Sequence, residues 1–82
     1  MRLDKYLKVS RIIKRRTVAN EACDAGRVLV NGKIARASYD VKVGDVLELQ
    51  PGARAIRARV VSVNEYAKKD EAAMMYEVIE EN

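Results

Sequence analysis

The residues in this chain that could do chemistry are cations. In the first 33 positions Arg2, Lys5, Lys8, Arg11, Lys14, Arg15, Arg16, Arg27 and Lys33 stand against only Asp4, Glu21 and Asp24; the remaining 49 hold seven Lys or Arg against nine acids. The formal net charge of +4 therefore conceals a strongly positive first part and a mildly negative second one. Such polarity points to a polyanion on the N-terminal side, and nucleic acid is the obvious one. An acidic protein partner, which would make the chain an adaptor, is the alternative from a different class. Catalysis lacks parts, because there is no histidine, no G-x-S-x-G, no P-loop and no G-x-G-x-x-G. The chain reads as no enzyme, with no cofactor. A single cysteine without histidine offers neither an internal disulfide nor a typical zinc site.

These cations need elements to hold them. From Arg2 to Val9 a 3.6-residue period puts Leu3 and Leu7 on one side of a helix and Arg2, Lys5 and Lys8 on an arc away from them. One cationic helix face also serves solubility. Asp4 reads as a brace for Lys8 or a nearby arginine. After Arg11 to Arg16, Thr17 is a good N-cap type, so a second helix is expected to begin there. It runs through Val18, Ala19, Ala22, Cys23 and Ala25 and stops at Gly26, with small residues packing on the first helix and Cys23 in the core. Arg15 and Arg16 then precede a helix N-terminus, whose free N–H groups and positive dipole end favour a phosphate.

Arg27 to Ile34 is a β-rich run with an Asn31-Gly32 pair suited to a type I′ turn, which predicts a hairpin. Lys33 projects beside its tip. Arg36 to Asp40 reads as a connection, Val41 to Val43 as a short strand, Gly44-Asp45 as a turn, and Val46 to Gln50 as a strand with Leu47 and Leu49 on one face. Pro51-Gly52 turns the chain into the longest expected strand, Ile56 to Val63, with Arg57 and Arg59 on a solvent face. Asn64 to Glu71 reads as a mobile polar loop, Met75 to Ile79 as a last strand, and Glu80 to Asn82 as a fraying end. Tyr6 and Tyr39 could stack on bases, but a helical and a loop tyrosine are more often packing residues. Together this predicts one α+β domain over 1–82, two short helices packed on a small, mostly antiparallel sheet. No apolar stretch approaches 18 residues and no apolar leader follows Met1, so the expectation is a reduced cytoplasmic protein without a membrane span.

Arg2-Leu3-Asp4-Lys5-x-Leu7, Arg11, the basic step into Thr17, Gly26-Arg27-Val28-x-Val30-Asn31-Gly32 and Val41-x-Val43-Gly44-Asp45-x-Leu47 together resemble the S-four RNA-binding domain, or αL motif. So many fixed spacings across residues 1–49 are far more specific than a short glycine motif. The C-terminal strands and tail, 50–82, ending in Ala72-Ala73-Met74-Met75-Tyr76-Glu77, are similar to stand-alone ribosome-binding members of that family. The resemblance implies RNA contact by Arg2, Lys5, Lys8, Arg11, Lys14, Arg15, Arg16, Thr17, Arg27 and Lys33. It further implies large-subunit rRNA and peptidyl-tRNA as partners, in quality control of stalled nascent chains, with recycling of aborted large subunits as the alternative. A protein that elongates the nascent-chain tail is a further partner it implies for a protein acting as a monomer.

Overall fold

The computed structural model describes residues 1–50 and 55–81, so the expected Pro51-Gly52 turn and Asn82 lie outside the described residues. The hairpin organises the sheet. Asn31 and Gly32 take φ of 52° and 82°, as a type I′ turn requires, and join β1, Leu29–Val30, to β2, Lys33–Ile34. Asn31 does more than turn. Its amide donates to Asp45 at 3.0 Å and its carbonyl accepts the Val46 N–H at 3.0 Å, which locks the hairpin to β3, Val46–Leu49. Beyond β3 come β4, Ile56–Val60, and β5, Tyr76–Glu81, giving an all-antiparallel sheet ordered β2-β1-β3-β4-β5.

The strict alternation of β3 and β4 gives this sheet two unlike faces. Val30, Leu47, Leu49, Ala58 and Val60 point inward, and two helices, α1, Leu3–Val9, and α2, Arg16–Asp24, complete the core with Leu3, Tyr6, Leu7, Ala19 and Cys23. The α+β architecture expected from the sequence is thus the one observed. Tyr6 is a packing residue: it is fully buried and its hydroxyl donates to the Met75 carbonyl at 2.7 Å, tying α1 to the chain entering β5. Burial pushes this phenol well above its ordinary pKa. Tyr39 likewise spends its hydroxyl on Asp45, at 2.9 Å.

Several local expectations are corrected. Helix α2 begins at Arg16, with Arg15 extended in the N-cap position and no side-chain cap, so Thr17 lies inside the first turn. Tertiary anchoring outranks cap preference here, because Arg16 and Asn20, one turn apart, both reach the Asp4 carboxylate. The helix proper ends at Asp24; Ala25 caps it and Gly26, at φ 74°, closes it with N–H bonds from Gly26 to Cys23 and from Arg27 to Ala22. Val41 to Val43 is not a strand, since the Val41 N–H goes to Met1 and the Lys42 N–H to the Asp45 carboxylate. Strand β4 stops at Val60 because the next two N–H groups both bond the Met75 carbonyl, which leaves β5 the longest strand. The segment read as a loop contains a one-turn helix, α3, Lys69–Ala72, whose Ala72 is buried. Strand β5 runs on through Glu81, with an irregularity opposite Arg57 and Ala58.

Candidate nucleic-acid interface

Asp4 is the centre of the helical surface. Its side chain is 3% exposed, yet it is hydrogen-bonded by Arg2 Nε at 3.1 Å, Arg2 Nη2 at 3.3 Å, the Lys5 N–H at 2.8 Å and Asn20 Nδ2 at 3.2 Å, with Arg16 Nε 3.5 Å away. Burial alone would raise its pKa; the bonds from Arg2, Asn20 and the Lys5 backbone, with the Arg16 charge, outweigh that and hold the carboxyl at about 2. Of the two braces expected for Asp4, Lys8 or a nearby arginine, the structure makes the second, to Arg2 and Arg16. Arg2, the N-cap residue of α1, and Arg16, in the first turn of α2, are drawn to one point while each stays half exposed. Their guanidinium groups keep donors for a second anion, because a planar five-donor fork is not exhausted by one carboxylate.

Around this centre the cations differ in freedom. Lys8, Arg11, Lys14 and Arg15 are exposed, and among the described residues no carboxylate lies within ion-pair distance of them. Lys5 is paired with Glu65 at 3.7 Å. Arg11 is held at φ 63°, in the left-handed region, closing α1 as Gly26 closes α2: its N–H bonds Lys8 and the Ile13 N–H bonds Leu7. Lys14 and Arg15 lead directly into α2, whose first-turn N–H groups have no side-chain cap. Two cations with no ion-pair partner among the described residues, an arginine anchored at its rear and a row of N–H donors have the chemistry to hold a phosphate.

Arg27 and Lys33 are exposed but stand apart from this cluster. Arg27 follows the far end of α2, a nine-residue helix about 13 Å long that begins at Arg16. Lys33 lies on β2, where it shares a shallow cleft of about 640 Å³ with Asn31, Arg36, Ser38 and Tyr39. Arg36 is a cation that reading the sequence passed over, since a connection carries no period to mark it. Thr17 is exposed on α2 beside the anchored Arg16.

A helical pair on an antiparallel sheet, with a cluster of cations at the helices that have no ion-pair partner among the described residues, is the design of a small RNA-binding module. The S4 domain family matches residues 1–47, and the chain belongs to that family. Within it, the chain is 54% identical over 81 residues to the RQC P-site tRNA stabilizing factor of Streptococcus pneumoniae, covering 99% of this chain and 92% of that one. The corresponding factor of Bacillus subtilis is 51% identical, with 99% and 94% covered. A heat shock protein 15 homolog of Haemophilus influenzae is 30% identical across 98% of this chain and 62% of its own length. Among solved structures, that of Heat Shock Protein 15 of Vibrio cholerae, described as trimeric, superposes with a TM-score of 0.89 at 28% identity, over 95% of this chain and 80% of that one.

Proposed function

We propose that this protein is a non-enzymatic factor that binds large-subunit rRNA and peptidyl-tRNA together on obstructed large ribosomal subunits, stabilising the P-site tRNA during quality control of stalled chains. The observation that carries the reading is the Arg2–Asp4–Arg16 cluster at the start of α2, flanked by Lys14 and Arg15, which are unpaired among the described residues, in a chain similar along its length to factors of that name. A rigid cationic face suits this target because helical RNA hides its base edges in a deep groove and is recognised by shape and phosphate placement. Nucleophilic chemistry has little to work with. The only thiol, Cys23, is buried in the core and pushed up to about 11 by that burial.

Phosphate contacts discriminate little between sequences, so selectivity comes from engaging two RNAs at once. A vacant subunit offers one of them. The purified protein is expected to co-sediment better with large subunits bearing peptidyl-tRNA than with vacant large subunits or intact ribosomes. Acting as a monomer, this chain would meet on the occupied subunit the protein that elongates the nascent-chain tail. Equal binding to occupied and vacant subunits would favour a recycling role like that of a general large-subunit binder and remove the P-site assignment.

A further inference from the structure

Of the four tyrosines, three are engaged in the fold. Tyr6 is fully buried, Tyr39 is hydrogen-bonded to Asp45, and Tyr76 is a half-buried member of β5 paired opposite Val60. Tyr66 is 84% exposed, the most exposed large hydrophobic side chain among the described residues. Its backbone is not loose: the Tyr66 N–H donates to Asn64 Oδ1 at 3.0 Å, and the neighbouring Ala67 packs against the core. The fold thus presents an aromatic ring to solvent on a fixed stem.

Its surroundings are charged, with Glu65, Asp70 and Glu71 exposed near it as well as two lysines. Glu65, next in the chain, is ion-paired with Lys5 of α1 at 3.7 Å, so Tyr66 stands beside the helical cationic surface. On its other side Lys68 and Lys69 are exposed at the start of α3, and among the described residues neither has an ion-pair partner. An exposed ring flanked by lysines and continuous with a cationic face fits an unpaired nucleotide, whose base offers a π-face and whose neighbours offer phosphates. An apolar protein partner would leave those lysine charges without a counterpart.

We propose that Tyr66 stacks on an unpaired RNA base while Lys68 and Lys69 take the adjoining phosphates, which extends the RNA-binding surface past the S4 domain into the C-terminal part. This rests on the RNA-binding reading above. The test compares Tyr66→Ala, Tyr66→Phe and Arg16→Ala for affinity to large subunits carrying peptidyl-tRNA. Tyr66→Ala weakens binding roughly 5- to 100-fold, the loss of one base stack, Tyr66→Phe binds as the parent does because the ring remains, and the melting temperature of both is unchanged. Ultraviolet crosslinking of the parent complex places a nucleotide adduct on the Tyr66 peptide. Full affinity in Tyr66→Ala alongside a loss in Arg16→Ala overturns the stacking site and leaves RNA binding intact. Full affinity in both overturns RNA binding and the stacking site with it. Equal loss in Tyr66→Ala and Tyr66→Phe, or a crosslink to a ribosomal protein instead, assigns the contact to the hydroxyl or to protein and overturns the proposal.

Discussion

The helical surface and the outer face of the sheet both display arginines, and they treat them in opposite ways. On the sheet, Arg57 stands directly across from Glu48 on the neighbouring strand, 3.7 Å away, and Arg59 across from Glu77 at 2.7 Å. Strand register delivers each cation to an acid, and the charges cancel at the surface for a few tenths of a kcal/mol each. At the helices one buried acid serves two arginines from behind, while Lys8, Arg11, Lys14 and Arg15 go unmatched among the described residues. Exposure is similar in the two regions, with Arg2, Arg16, Arg57 and Arg59 all close to half exposed. What separates the two surfaces is where the acids sit.

The comparison breaks most visibly at Asp4. Replacing it by alanine strands Asn20 and the Lys5 N–H and leaves two guanidinium groups facing each other, which should cost about 3 kcal/mol of stability in chemical denaturation. The same residue sets an acid limit. Its carboxyl lies at about 2 in the fold against 3.8 for a free aspartate, so its contribution, about 2 kcal/mol, is complete above pH 3.8 and lost as the pH falls towards 2. Asp4→Asn should flatten that part of the pH profile. A profile identical to the parent's would show that the carboxylate does not organise the arginines.

Arg16→Ala sharpens the contrast from the other side. Its guanidinium is half exposed and reaches Asp4 only at 3.5 Å, so stability should change by no more than about 0.5 kcal/mol while RNA binding weakens by about 1 to 3 kcal/mol. Filter binding to large subunits paired with thermal unfolding separates the two. A lowered melting temperature with unchanged affinity would make Arg16 a structural residue.

The two helix ends offer a smaller test of the same idea. Gly26 closes α2 at positive φ without steric cost, whereas Arg11 closes α1 in the same region with a side chain. Arg11→Gly should raise stability by about 1 kcal/mol, which in a domain of this size is about 4 to 8 °C in melting temperature. It should also weaken RNA binding, as expected where a strained conformation is kept for the charge it presents. No rise in melting temperature would remove the claim of strain.

Arg57→Ala should do least. Its charge is already matched by Glu48, so affinity for large subunits should stay within about twofold and stability within a few tenths of a kcal/mol. A loss equal to that of Arg16→Ala would mean that bulk charge alone drives binding and that the distinction between the two faces is empty.

Local pattern determined much of this protein. The 3.6-residue spacing of Leu3 and Leu7, the Asn31-Gly32 turn, and the alternation in Val46 to Leu49 and Ile56 to Val60 each predict an element that is present, because hydrophobic period and turn chemistry act over a few residues. The concentration of cations in the first 33 residues was legible for the same reason. Tertiary structure alone decided which of them are free. Whether Lys5 meets Glu65, whether Arg2 and Arg16 meet at Asp4, and whether Arg57 meets Glu48 depends on residues up to 60 positions apart in the chain, and no local period encodes such meetings. The misread start of α2 has that origin, since Asp4 pulls Arg16 and Asn20 into place against the capping preference of Thr17. So does the exposed Tyr66, whose segment carries no pattern of its own and takes its place from the Glu65–Lys5 pair to α1 and from Ala67 against the core.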